Sequence, residues 1–275
     1  MHDQFSAEAQ VGGTTRSPLR DDPLRLPGQS ADEQIRDLIY TQITERVLFV
    51  GMVVLLTAME WFRWGFQTPV SPYAYTAVLV LATVIVAPKI LAARRRLQNL
   101  RLGRDGERAV GQTLERLRRH GYHVFHDIIG ADWNVDHVVI GPGGVFTVET
   151  KTFSKPRKGR AVITHDQAGL HKNGIDIGDC LIQAKSQARF LGYLLGEETG
   201  KCYAVQPVVV FPGWFIEADG TASRDVWVLE PKAFLKWVRA RHEILSPDQV
   251  RLARRAVASR SRQSYSAGVS SIGRG

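Results

Sequence analysis

Two carboxylates and one ammonium lie within the most strand-like segment of the chain, residues 134–151, which reads NVDHVVIGPGGVFTVETK. If GPGG is a four-residue hairpin loop, counting outward along the two strands puts Asp136 opposite Glu149. Directly opposed residues share a face of the sheet, with Cβ atoms about 5 Å apart. Lys151 lies two residues further on and therefore shares that face. The hairpin is thus predicted to bring two carboxylates and a lysine together.

The repulsion between these two carboxylates must be offset, because like charges directly opposite each other destabilise a sheet. Burial makes the ionised carboxylates still less favourable. Protonation of one carboxylate would remove the repulsion. A hard divalent cation, which prefers oxygen ligands, would also remove it and would make the hairpin a metal site. A third interpretation is a solvated sheet edge at which Glu149 and Lys151 pair with other neighbours, although the apolar flanking residues favour the first two.

A third carboxylate is predicted near the hairpin. Residues 105–120 have the pattern of an amphipathic helix, and Glu107 lies one turn before Val110 of its apolar stripe, on the same face. Glu107 would point from the start of this helix toward the hairpin. Equally, a glutamate in a first turn compensates the partial positive charge of a helix N-terminus, so both interpretations stay open.

The elements that must position these residues alternate between helix and strand patterns. Asp105 is predicted to cap the first helix, which stops at Gly121. Four strands are predicted at YHVFHDI, WNVDHVVI, VFTVETK and RAVITH, followed by a helix through CLIQAKSQARFLGYLLGEE. YAVQPVVVF reads as a central strand covered on both faces, and VWVLE and PKAFLKWVRAR add an edge strand and a helix. This order predicts an α/β fold with a mixed β-sheet flanked by helices.

Residues 47–88 favour a transmembrane helical hairpin, because their only charged side chains are Glu60 and Arg63. The first half, VLFVGMVVLLTAMEWFRWGF, has 20 residues, about 30 Å as a helix, which matches the hydrocarbon core of a bilayer. Aromatic residues gather on both sides of the Gln67-Thr68-Pro69 turn, as in an interfacial belt. The alternative is a buried helical hairpin of a soluble core.

Basic residues set the expected orientation of the transmembrane hairpin. Six of them follow the second span closely, whereas the turn between the spans has only one basic neighbour. The six are Lys89, Arg94, Arg95, Arg96, Arg101 and Arg104. Positive charge marks the cytoplasmic side of a membrane segment. We therefore expect a multi-pass protein of the cell membrane with two spans, cytoplasmic termini and a cytoplasmic C-terminal domain.

The basic composition of the chain favours binding to anionic partners. The formal net charge is +9, which favours nucleic acid or an anionic membrane surface without deciding between them. With only two cysteines, the chain has no disulfide framework, and no CxxC or Cys/His set is present to hold zinc. No apolar core follows a basic start, so the N-terminus does not read as a signal peptide.

These patterns divide the chain into seven predicted segments. They are a disordered tail (1–30), a juxtamembrane helix starting near Ala31 with Ser30 or Asp32 as its cap (31–46), the transmembrane hairpin (47–88), a basic juxtamembrane linker (89–102), an α/β domain (103–215), a C-terminal strand with helices (216–262) and a second disordered tail (263–275).

Three segments of the α/β domain together resemble the nuclease-related domain (NERD) family of the PD-(D/E)xK nuclease superfamily. They are GERAVGQTLERL, NVDHVVIGPGGVFTVETK and the helix that carries Gln183. The resemblance covers roughly residues 103–215 and implies a restriction-endonuclease-like αβββαβ core. In this chain Asp179 and Cys180 stand where the family often has Asn-Pro.

The resemblance implies a role for each matching residue. Asp136 and Glu149 would bind Mg²⁺ or Mn²⁺ together with the backbone carbonyl of Thr150, and Lys151 would orient the attacking water. Glu107 and Gln183 match the family's helix glutamate and helix glutamine. A lysine beside two carboxylates keeps its proton, so orienting water suits it better than acting as a base.

Basic side chains after Lys151 provide a predicted nucleic-acid contact. They lie in the loop TFSKPRKGR and on the next helix, and they comprise Lys155, Arg157, Lys158, Arg160, Lys185 and Arg189. Such residues hold phosphates on either side of a cut site, although basic loops are commonly only solvated. The sequence therefore favours a membrane-anchored, metal-dependent nuclease with DNA preferred over RNA. The alternative is a membrane-tethered module that keeps the fold and binds nucleic acid or protein without catalysis.

Overall fold

The computed structural model describes residues 26–66, 72–129, 134–156 and 159–272. The helices are α1 (Gln29–Asp37), α2 (Glu45–Gly65), α3 (Pro72–Leu114), α4 (Asp179–Thr199), α5 (Pro231–Ala240) and α6 (Pro247–Ile272). The strands are β1 (His123–Ile129), β2 (Asn134–Gly141), β3 (Gly144–Thr150), β4 (Val162–Asp166), β5 (Gly169–Lys172), β6 (Ile175–Asp176), β7 (Val205–Val210), β8 (Phe215–Ala218) and β9 (Trp227–Leu229). A π-helical turn, Leu38–Thr44, joins α1 to α2, and a 3₁₀ turn, Glu115–His120, follows α3.

The main sheet is mixed and five-stranded, in the order β1-β2-β3-β7-β9, which confirms the predicted α/β class. Strands β1, β2 and β3 pair antiparallel, and β3–β7 and β7–β9 pair parallel. The predicted central strand is β7, whose Val208, Val209 and Val210 are fully buried. The predicted edge strand is β9.

The β2–β3 hairpin has the register that the GPGG loop predicts. Ile140 pairs with Val145, and the ladder continues to His137 opposite Val148. One step further along the same register, Asp136 lies opposite Glu149. Gly141 also pairs with Gly144, so the turn itself contains only two residues.

Helices cover both faces of this sheet and bury its apolar side chains. On one face α3 and α5 pack through Val110, Leu114 and Phe234 against Val139, Phe146 and Val148. On the other face α4 and α6 pack through Leu191, Leu195, Val250 and Val257 against Val138 and Val145. The hairpin is therefore held between two helical layers, which fixes the positions of the charged residues at its open end.

The strand predicted at RAVITH lies outside the main sheet. It is β4, which belongs to a second sheet of order β6-β5-β4-β8. The reason is that β7 pairs directly with the free edge of β3, so the strand that follows β3 in the chain has no edge left to join. The second sheet packs on α4 through Ile163, Leu170, Cys180 and Ala184.

Helix α3 is continuous from the apolar segment into the α/β domain, so Asp105 does not begin a helix as predicted. It has 43 residues and contains Pro88, and at 1.5 Å per residue it is about 64 Å long. The predicted juxtamembrane linker, residues 89–102, is part of this helix. Its residues are mostly good helix formers, which allows the helix to continue through it. The predicted stop at Gly121 is confirmed, because Gly121 ends the 3₁₀ turn with φ 78°.

Helix α1 begins earlier than predicted, and neither predicted cap residue caps it. Its N-cap is Gly28, with φ 72°. Ser30 instead donates from its backbone N and from Oγ to the two carboxylate oxygens of the buried Asp127, at 2.9 and 2.8 Å. Asp32 forms ion pairs with Arg104 and Arg108 of α3. These contacts fix α1 to β1 and to α3.

The predicted tails differ from the structure where the chain is described. Residues 1–25 and 273–275 lie outside the described residues. Gln29 and Ser30 already belong to α1, and α6 continues to Ile272, through most of the predicted C-terminal tail. No proline interrupts this last stretch, so the helix that starts at Pro247 can continue.

Two helical stretches, Gln29–Gly65 and Thr76–His120, are long and apolar enough to cross a bilayer. Val53, Thr57 and Glu60 form the buried face of α2, which packs on α3. The outer faces of both helices expose large apolar side chains, among them Leu48, Phe49, Met52, Leu55, Leu81 and Val84. A large exposed apolar surface indicates a membrane or a partner. The predicted turn between the helices lies in residues 67–71, outside the described residues.

Candidate metal and catalytic site

The predicted site residues converge where β2 begins and β3 ends. Asp136 lies near the start of β2, and Glu149 and Thr150 are the last residues of β3. Helix α3 approaches this end of the hairpin with Glu107, and α4 approaches it with Gln183 and Gln187. The two helical layers that cover the sheet therefore meet at the charged end of the hairpin.

Asp136 is a buried carboxylate, with 7% of its surface exposed. Its Oδ2 accepts a hydrogen bond from the backbone N of Thr150 at 2.8 Å. Burial, and then the nearby carboxylates of Glu149 and Glu107, raises the pKa of Asp136 well above its ordinary value. The carboxylates of the site therefore carry more negative charge than the protein balances when no cation is bound.

Glu149 is more deeply buried, with 3% exposed, and both of its oxygens have partners. Oε1 forms an ion pair with Nζ of Lys151 at 2.7 Å. Oε2 accepts a hydrogen bond from Nε2 of Gln187 at 2.6 Å. Glu149 is thus held from two sides, by Lys151 just after β3 and by Gln187 of α4.

Lys151 connects Glu149 to the predicted helix glutamine. Its Nζ donates to Oε1 of Gln183 at 2.8 Å. Burial disfavours the charged form of Lys151, but the attraction of Glu149 and then of Asp136 outweighs it, so the pKa of the ammonium is raised. This lysine stays protonated near neutral pH, which agrees with a role as a hydrogen-bond donor rather than a base.

Glu107 lies in the last turns of α3, not at a helix start, so compensation of an N-terminal dipole does not explain it. Burial, and then the charges of Asp127 and Glu149, raises the pKa of Glu107 to about 7. This agrees with the prediction that Glu107 points toward the hairpin. Among the described residues, however, no three His, Cys, Asp or Glu side chains are grouped closely enough to bind one metal ion.

The donor set nevertheless fits a hard cation. Asp136 and Glu149 supply two carboxylates whose repulsion a cation would relieve, and carboxylate oxygens are what Mg²⁺ and Mn²⁺ prefer. One buried atom beside Glu149, Oε1 of Gln187, has no hydrogen-bond partner among the described residues, so a water molecule around an ion would find a partner here. With so few protein ligands, Mg²⁺ suits this site, because it usually keeps several waters.

The predicted nucleic-acid residues are only partly brought together. Lys155 and Arg160 are exposed on the loop after β3, and the guanidinium of Arg160 lies 4.9 Å above the ring of the exposed Phe215. Arg157 and Lys158 lie outside the described residues. Lys185 forms an ion pair with Asp225 at 3.0 Å, whereas Arg189 is exposed on α4.

Two residues of the site were not found from the sequence. Gln187 follows Gln183 by four residues, and that helical spacing is a signal that both point the same way. Asp127 lies on β1 opposite Asp136 in the strand register, but its φ of 51° interrupts the ladder there. Nothing in the local pattern of β1 indicates this conformation.

The comparisons with known proteins show which family the α/β domain resembles. No curated protein and no solved structure gives a significant match to the chain. The model of the NERD family, the nuclease-related domain, matches residues 102–212. This range contains Glu107, Asp136, Glu149, Lys151 and Gln183, all of which meet at the end of the hairpin. The chain therefore carries a nuclease-related domain over residues 102–212.

Proposed function

We propose that this protein is a membrane-anchored, metal-dependent nuclease that hydrolyses phosphodiester bonds, with DNA as the preferred substrate and RNA as the second. The observation that carries the proposal is the grouping of the buried Asp136 and Glu149 with the half-buried Lys151 at one end of the hairpin. The proposed metal ligands are these two carboxylates and the backbone carbonyl of Thr150. The net charge of +9 favours a polyanionic substrate.

In this proposal each side chain has a defined task. A Mg²⁺ or Mn²⁺ ion, when bound, would activate a water and neutralise charge on the phosphate. Lys151, held by Gln183, donates a hydrogen bond to the attacking water. Glu107 adds a third carboxylate beside this water, and the exposed Lys155 and Arg160 hold the flanking phosphates.

The competing proposal is a module that binds nucleic acid or a protein at the membrane without cleaving it. One observation favours it: both oxygens of Glu149 already have partners in the protein, Lys151 and Gln187. A metal ion that binds Glu149 must therefore displace one of these donors or share an oxygen with it. The two proposals differ in whether a metal ion binds in this way.

A nuclease assay with the full chain in detergent micelles tests the proposed function. The full chain is needed because α1, which precedes the apolar helices, contacts Asp127, Arg104 and Arg108. We expect single- and double-stranded DNA to be cleaved with Mg²⁺ or Mn²⁺ and not with EDTA, and RNA more slowly. Metal-dependent binding without any cleavage would favour the non-catalytic module.

We further propose that α2 and the apolar part of α3 cross the membrane, with both ends of the chain in the cytoplasm. The support is two long apolar helices and the basic residues that follow the second one on α3. Topology reporters fused before Met1 and after Gly275 should both give a cytoplasmic signal. A periplasmic signal from either fusion would contradict the two-span topology.

A further inference from the structure

We propose that Gln187 is a positioning residue that leaves Glu149 a single oxygen for a metal ion, and that it thereby makes the site prefer Mg²⁺ or Mn²⁺ over Ca²⁺. This inference rests on the proposed function, because it requires that a divalent cation binds at Asp136 and Glu149. It concerns a residue for which the sequence predicted no role.

The side-chain amide of Gln187 connects the two strands of the hairpin. Gln187 is 3% exposed, and its Nε2 donates to the carbonyl oxygen of Asn134 at 2.8 Å and to Oε2 of Glu149 at 2.6 Å. Both partners are acceptors, so the nitrogen and not the oxygen of the amide must face them. Gln187 therefore joins the start of β2 to the end of β3 through one donor group.

The two carboxylate oxygens of Glu149 have different partners. Oε2 is held by Gln187 inside the protein, in a site where a lost hydrogen bond is costly. Oε1 is held by Lys151, whose Nζ also donates to Gln183 at 2.8 Å. Because Lys151 keeps a partner in Gln183, Oε1 is the oxygen that can be released to a cation.

Ca²⁺ and Mg²⁺ differ in how they bind a carboxylate. Ca²⁺ takes six to eight oxygen ligands and often binds a carboxylate through both oxygens, whereas Mg²⁺ demands octahedral geometry and keeps several waters. A glutamate that offers one oxygen fits Mg²⁺ or Mn²⁺. Releasing Oε2 from Gln187 would allow Glu149 to bind through both oxygens, which favours Ca²⁺.

Gln187→Met tests the inference, because methionine has a similar length and shape but cannot donate. Isothermal titration of the full chain in micelles with MgCl₂ and with CaCl₂ gives both dissociation constants without any substrate. We expect the Kd for Mg²⁺ to rise about tenfold, the usual effect of removing a partner that orients a ligand. The Kd for Ca²⁺ should change much less or fall, so that the ratio of the two constants shifts toward Ca²⁺.

The controls separate this inference from the proposed function. Gln112→Met makes the same replacement at an exposed position of α3 and should leave both constants unchanged. If the wild type binds neither ion, or if Asp136→Asn binds them as tightly as the wild type, the metal site itself is absent. If Asp136 is needed but Gln187→Met leaves the ratio of the constants unchanged, only the positioning role is overturned. Should Gln187→Met fail to fold, Gln187→Asn keeps the amide but shortens its reach, and the same shift in ratio is expected.

Discussion

Lys151→Ala is expected to lower the rate of metal-dependent cleavage about 10²-fold or more while the protein stays folded, because it removes a donor aimed at developing charge. Lys151 donates to Glu149 and Gln183, and it is not part of the hydrophobic clusters of the described residues. Turnover of the variant and of the wild type would be compared at saturating Mg²⁺. Unchanged cleavage would show that the activity arises elsewhere, and the non-catalytic proposal would then be favoured for this site.

Lys151→Arg is the matched control for charge. A planar guanidinium cannot place a donor where a compact ammonium lay, so we expect no more than partial recovery of the rate. Thermal unfolding adds a second measurement. Without Lys151, the buried carboxylates of Asp136 and Glu149 repel each other uncompensated, and a cation relieves this. Mg²⁺ should therefore raise the Tm of Lys151→Ala more than that of the wild type.

Asp136→Asn is expected to have the larger effect on activity, because it removes one of only two carboxylate ligands proposed for the metal. We expect cleavage to fall by about 10³-fold or more, which corresponds to a barrier increase of about 4 kcal/mol. An asparagine oxygen can still accept the hydrogen bond that the backbone N of Thr150 donates to Oδ2 of Asp136. The loss would therefore report the missing charge rather than a broken hairpin.

The same substitution should stabilise the metal-free protein. Burial and the charges of Glu149 and Glu107 disfavour an ionised Asp136, and a neutral side chain of the same shape avoids this cost. In EDTA we expect the free energy of unfolding of Asp136→Asn to exceed that of the wild type by about 1 kcal/mol, in the range typical of single substitutions. A lower stability in EDTA would contradict the view that the empty site is short of positive charge.

The positions of the charged residues of the hairpin could be predicted from the sequence, because a hairpin is a local structure. The GPGG loop sets the register, and the register alone places Asp136 opposite Glu149. Strand alternation then places Lys151 beside them. Each of these steps depends only on residues close together in the chain, for which pattern and geometry are sufficient.

Contacts between distant segments were not predictable in the same way. Ser30 donates to Asp127 across 97 positions of the chain, and Gln187 reaches Glu149 across 38. Such pairs follow from the way the helices pack on the sheet, which no local pattern encodes. The continuity of α3 was also missed, because Asp105 resembles a helix cap although the residues before it are equally able to form a helix.

The unbroken course of α3 has a consequence for how a nucleic acid reaches the protein. Glu107 lies 19 residues after Pro88 in the same helix, a rise of about 28 Å. In the proposed anchored orientation, Pro88 lies at the edge of the hydrocarbon layer, and the headgroups above it occupy about 5–8 Å. About 20 Å of water then separates the anionic lipid surface from the site, more than two screening lengths of about 8 Å at physiological ionic strength. In that orientation, the helix would hold a polyanionic substrate beyond the electrostatic repulsion of the anionic lipid surface.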